Sequence, residues 1–222
     1  MPERRVIATF DCYGTLIDWL SGAKEAFKEA YPEYSGLADD FIKYWGEKDW
    51  ELVTSGIYRP YREILSTSFR YALDKLNLRY DNDVIEKLTY SIYRWRAFPD
   101  VKPALKKLID EGVELGIISN TDKNFIVKSI ENIDVEFKYV IVAEDIKIYK
   151  PDPRVFKKAG EILPKAKWIH ISAYPQYDII PASKIGIETI LLDRYGLKYM
   201  VRDIDTIVID DIDKLPNLII NK

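Results

Sequence analysis

Cysteine, histidine and glutamine each occur once in this 222-residue sequence, as Cys12, His170 and Gln176. A single cysteine excludes an intrachain disulfide and a cysteine zinc cluster, and it reads as an intracellular protein. An excess of either charge is missing too: 33 basic and 36 acidic residues, well mixed, leave a formal charge of −3. Nothing resembles a basic footprint, so no nucleic-acid partner is expected. Long apolar runs are also absent. The start, MPERRVIATF, passes from a short apolar stretch straight into DCYG, too short for a signal segment or a membrane span. A cytoplasmic protein with no membrane contact is the expectation. The scarcity of Gln and Met beside abundant Ile, Lys and Glu is the direction in which thermophile sequences drift.

Against these absences stands a hydrophobic content of 47%, enough to bury one large domain or a core with a smaller insertion. Short β-branched and apolar runs recur at Val6 to Phe10, Val113 to Ile118, Tyr139 to Val142, Trp168 to Ile171, Thr189 to Leu192 and Thr206 to Ile209. Helical spacing lies between them, as in VKPALKKLIDEG, where Val101, Leu105, Leu108 and Ile109 share a face and Gly112 marks the C-cap. Such alternation predicts βαβ units and an α/β fold with a parallel sheet covered by helices. From residue 18 to 96 the alternation stops. The amphipathic, aromatic-rich stretches there, such as YRPYREILSTSFRYALDKLNL, predict a helical insertion whose aromatics pack a small bundle. FPDVKP marks the return, giving a core of residues 1–17 and 97–222 and an insertion of residues 18–96.

In an open parallel sheet the ligand crevice lies beyond the carboxyl ends of the strands. Four of the expected strands end in polar residues: Asp11-Cys12-Tyr13-Gly14-Thr15, Ser119-Asn120-Thr121-Asp122, Lys150 in IYKPDPRVF, and Ser172 to Asp178. The set makes chemical sense. Asp11 can attack as a nucleophile if it stays ionised, a nearby Lys150 would hold its pKa down, and Asp178 would fix Lys150 or a water. Ser119 and Asn120 offer neutral donors for developing negative charge, and Gly14 lets the chain turn so that backbone N–H groups face the site. Cys12 next to a buried strand reads as a packed residue more than a thiol nucleophile. His170 reads as a hydrogen-bonded core histidine. Asp122 reads as the cap of the helix that follows it, and Asp178 could cap its own.

FDCYGTLIDW, IISNTD, YKPDPRVF and DIIPASKIG resemble, in order and spacing, the motifs of the haloacid dehalogenase superfamily, and most closely its type II (S)-2-haloacid dehalogenases. The resemblance covers nearly the whole chain. It implies a Rossmann-like three-layer core with a helical cap inserted after the first strand. It also implies Asp11 as nucleophile, displacing halide from the α-carbon of a small haloacid to form an ester that water hydrolyses to a 2-hydroxy acid. Thr15, Ser119, Lys150 and Asp178 match catalytic positions. Asn120 matches the halide cradle, and Cys12, Tyr13 and Tyr177 are expected at the substrate.

The sequence departs from the superfamily at informative places. Phosphatases of the superfamily carry a second Asp where Tyr13 stands, and another where Ala173 stands, to donate a proton and complete a magnesium site. Halide leaves as a stable anion and needs neither, so these losses favour carbon chemistry without a cofactor. Within the dehalogenase group, Gly46 replaces a cap arginine, Phe156 a tyrosine, and Ala173 and Pro175 a Ser and an Asn. Arg59 or Arg62 could take the arginine's place on a substrate carboxylate, or they could simply be a solvated helix face. Two other classes stay open: a small-molecule phosphatase with a degenerate magnesium site at Asp11 and Asp178, and a non-catalytic binding homologue. The expected partner is a small carboxylate-bearing molecule, with a homodimer possible through the aromatic cap.

Overall fold

The computed structural model describes residues 5–220. Six parallel strands form one sheet: β1 (Val6–Phe10), β2 (Glu114–Ser119), β3 (Tyr139–Val142), β4 (Lys167–Ser172), β5 (Glu188–Leu192) and β6 (Ile207–Ile209), in the order β3-β2-β1-β4-β5-β6. The order reverses at β1, so the crevice of a doubly wound sheet opens above the carboxyl ends of β1 and its two neighbours. β2 starts one residue later than its apolar run and carries Ser119 as its last residue.

Period-two alternation sorts each strand between two layers. Ala8 and Phe10 of β1 pack with Leu115, Ile117, Ile169 and Ile171 against the helix α5 (Val101–Asp110) through Val101, Ala104, Leu105 and Leu108. Ile7, one residue out of phase, packs with Ile118, Val155, Phe156 and Ala159, the last three on helix α8 (Arg154–Ile162). Gly112 sits just beyond α5 at φ +78°, the left-handed conformation that ends a helix and frees the chain to enter β2.

Between β1 and β2 the regular elements are helical: α1 (Trp19–Ala30), α2 (Ala38–Val53), α3 (Tyr61–Lys75), α4 (Asn82–Tyr90) and short 3₁₀ turns precede α5. The chain leaves and returns side by side. Ile17 bridges Ala97, Asp18 N–H donates to Arg96 O at 2.8 Å, and Phe98 N–H donates to Leu16 O at 3.0 Å. The aromatics of this segment do pack together: Phe27 stacks on Phe41 at 4.7 Å, Phe41 on Phe69 at 5.6 Å, and Trp45 meets Phe69 edge-on at 4.9 Å. Helices α6 (Lys123–Ile133) and α7 (Ala143–Ile146) follow β2 and β3.

Candidate active site

Asp11 is the first residue past β1, and its N–H still donates to Ile171 O at 3.0 Å, so β4 pins it. Gly14 then turns the chain at φ +89°. A Cβ there would fall 2.5 Å from the Tyr174 ring, so both conformation and space require glycine. Thr15 Oγ1 donates to Asp11 Oδ2 at 2.9 Å and accepts from Ala173 N–H at 2.9 Å, tying the loop after β1 to the loop after β4.

Lys150 lies beneath Asp11, 1% exposed, with its three ammonium protons all taken: Asp11 Oδ1 at 2.8 Å, Asp178 Oδ1 at 2.7 Å and Ile118 O at 2.9 Å. Asn120 fixes its backbone, donating to Lys150 O and accepting from Lys150 N–H, both at 2.8 Å. Asp178 stands in a π-helical turn, Pro175–Ile179, and its carboxylate accepts from Lys150, from Ser172 Oγ at 3.0 Å and from His170 Nε2 at 2.9 Å. It therefore caps no helix. Thr9 assigns the histidine proton. Its Oγ1 takes the Trp168 indole N–H at 2.8 Å, and the nearer acceptor for its own proton is His170 Nδ1 at 2.8 Å, against Ile169 O at 3.5 Å. Nε2–H is then the donor to Asp178.

These partners pull the two carboxylates apart. Burial raises the pKa of Asp11, and Asp178 adds to it, so that together they outweigh Lys150. Lys150 does pull the Asp11 pKa down, as expected, but desolvation of a nearly enclosed carboxylate exceeds what one shared ammonium returns, and the net direction is upward. Burial works against Asp178 as well, but the pull of Lys150 and His170 carries its pKa below the ordinary value. Burial likewise opposes the Lys150 charge, and the two carboxylates outweigh it and raise the pKa. Asp178 is thus the constant counter-ion, and Asp11 the more basic carboxylate.

Above them is a cavity of about 170 Å³, room for a small acid. It is lined by Asp11, Tyr13, Ser119, Asn120, Lys150, Tyr177 and Asp178 from the sequence-derived set. Ser119 Oγ is buried with no hydrogen-bond partner, as a donor waiting for a ligand would be. Cys12 and Thr15 stay behind the wall. Cys12 is fully buried, and burial pushes its thiol well above the usual range, which argues against a thiol nucleophile. Neither Arg59 nor Arg62 lines the cavity, and Arg62 is exposed beside Tyr90. Asp122 does not cap α6. It accepts from Tyr61 N–H and Arg62 N–H, both at 2.8 Å, capping α3 across the crevice, while Glu144 accepts from Lys123 N–H at the start of α6. Sequence reasoning missed the rest of the wall: Trp19, Trp45, Asp49, Tyr61, Trp95 and Tyr174. The WGEKDW stretch held the available signal, an acid one helical turn after Gly46.

Magnesium does not fit this donor set. Among the described residues no three His, Cys, Asp or Glu side chains are grouped to hold a metal ion, and Asp11 and Asp178 each already spend an oxygen on Lys150. Nor, among the described residues, is any helix long and apolar enough to cross a membrane.

A parallel α/β sheet with a carboxylate, an ammonium and a second carboxylate gathered beyond the carboxyl ends of its strands fits a hydrolase. The chain belongs to the haloacid dehalogenase-like hydrolases, whose family model matches residues 7–172. Haloacetate dehalogenase H-2 of Moraxella sp. (strain B) is 27% identical over 198 residues, 86% of each chain. The (S)-2-haloacid dehalogenase of Pseudomonas fluorescens is 26% identical over 223 residues, 96% of each chain. In fold, the chain resembles L-2-haloacid dehalogenase from Xanthobacter autotrophicus with chloropropionic acid covalently bound. The TM-score is 0.82 at 21% identity, covering 96% of this chain and 98% of that one.

Proposed function

We propose that this protein is a metal-independent hydrolytic dehalogenase of small (S)-2-haloacids. Asp11 attacks the α-carbon, a C–O bond forms as the C–halide bond breaks, and halide departs with the bonding pair. Water then adds to the carboxyl carbon of the Asp11 ester, releasing the 2-hydroxy acid with inverted configuration and restoring the carboxylate. Lys150 positions Asp11, Asp178 holds the Lys150 charge in place, and Thr15 orients the second Asp11 oxygen. Ser119 and Asn120 meet the substrate from the cavity floor. The observation that carries this reading is the donor set: Asp11 and Asp178 each spend an oxygen on Lys150 Nζ, at 2.8 and 2.7 Å, and Tyr13 and Ala173 stand where a phosphoryl-transfer site would need further carboxylates for a divalent cation.

The test is chloride release from (S)-2-chloropropionate in the presence of EDTA, with mass spectrometry of the peptide spanning residues 9 to 19. The expected result is EDTA-resistant turnover, an acid adduct on Asp11, and loss of both in Asp11→Asn. Neither chloride nor adduct across a panel of haloacids would end the proposal.

A further inference from the structure

The pocket holds one acid that this chemistry leaves unused. Asp49 lies on α2 one turn after Gly46, and both residues line the cavity. Asp49 as a residue is half-buried, but its Oδ1 is shut off from solvent and has no hydrogen-bond partner. Its neighbour Trp45 is 4% exposed, also lines the cavity, and has an indole Nε1–H equally enclosed and unpaired. Two polar atoms left unsatisfied in one wall are costly unless a ligand meets them.

The charge around the cavity says what that ligand is not held by. Among the described residues Lys150 is the only cation that lines the cavity, and its three protons are spent on Asp11, Asp178 and Ile118 O. An anionic substrate therefore finds no free positive charge, only neutral donors. A carboxylate at Asp49 would repel it, whereas a carboxyl there supplies an O–H.

We propose that Asp49 binds the substrate's carboxylate, donating a hydrogen bond from its neutral carboxyl beside the indole N–H of Trp45. This rests on the dehalogenase reading for the kind of ligand, but not for the pocket chemistry. A carboxyl and a carboxylate sharing one proton form a strong, directional pair, and the approaching anion itself favours the protonated partner. Burial among aromatic rings pushes the Asp49 pKa up to about 7, opposed only by the Tyr61 hydroxyl. The other groups facing it are the Tyr149 and Tyr177 hydroxyls, and, across the cavity, Asp11, Asp178 and Lys150. Burial keeps all three tyrosines neutral far above pH 7.

The sign follows. Asp49 is neutral below its pKa and charged above it, so binding of an anion weakens as pH rises through about 7. The experiment is titration with propionate, an unreactive acid that stays ionised throughout, from pH 6 to 9. Binding is read from the fluorescence of the pocket tryptophans, in parallel with chloride release from (S)-2-chloropropionate. In the wild type, Kd for propionate rises tenfold per pH unit on the alkaline side. Asp49→Asn, which keeps a donor and cannot ionise, removes that rise, and Asp49→Leu binds weakly at every pH. Should Asp49→Asn not fold by circular dichroism, Asp49→Ser replaces it. The same pH dependence in wild type and Asp49→Asn overturns the inference. So does undiminished binding by Asp49→Leu. If propionate behaves as stated but no haloacid releases halide, the dehalogenase reading fails and the role of Asp49 stands.

Discussion

Lys150 ties the carboxylates of the site together. Its ammonium is enclosed, bridges two carboxylates and takes a strand carbonyl, so each of its protons has a partner. Lys150→Met would fill much of the volume but leave Asp11 and Asp178 facing each other without a counter-charge. Removing one partner from a buried ion pair typically costs about 3–5 kcal/mol, and urea denaturation is expected to show a loss of that size. Halide release is expected to fall on the order of 10²–10³-fold, because Asp11 is then held largely protonated and unaligned. Unchanged stability in Lys150→Met would mean that the bridge is not formed. Asp11 was legible because it ends a short apolar strand run. Lys150, expected at a strand end, lies beyond α7, and Asp178 lies in the turn after β4, so these two were legible through the resemblance of YKPDPRVF and DIIPASKIG. Asp49 and Trp45 were not, because on an amphipathic helix nothing local separates a residue facing a cavity from one facing solvent.

Helices in this fold are held by residues from elsewhere in the chain. Asp122, expected to cap the helix that starts at Lys123, instead receives the first two free N–H groups of α3, about sixty residues earlier. Two bonds at 2.8 Å to the Asp122 side chain join the sheet's crevice to the helical segment. Asp122→Ala is expected to cost about 1 kcal/mol, as loss of a helix cap does, and to lower Tm by a few degrees. It should also weaken propionate binding, since Tyr61 at the start of α3 lines the cavity. An effect on Tm alone would show that the cap is structural only. The strands themselves were predicted within a residue or two, because β-branched runs bounded by polar residues are a local signal. The partner of a cap is not local, and Glu144, which takes the cap position at α6, lies in another loop.

Across the whole molecule, one contiguous apolar cluster runs from β1 and β2, through Phe10 and Ile117, to Phe41, Leu73 and Leu88 in the helical segment. Gly22 belongs to the same junction: a Cβ there would fall 2.2 Å from the Trp95 ring, so α1 and the pocket wall are in direct contact. Shared burial of this kind couples the two parts. Urea unfolding followed by tryptophan fluorescence and by far-ultraviolet circular dichroism is expected to give coincident transitions, and two separated steps would show that the helical segment unfolds by itself. The sequence alone determined the alternating strands and helices and the helical stretch after β1, because each is written in residues close together, and its motifs singled out Asp11, Lys150 and Asp178. Tertiary structure decided the rest. Whether burial or Lys150 governs Asp11, which helix Asp122 caps, and that an acid on α2 faces the cavity all depend on distances and desolvation set by residues far apart in the chain.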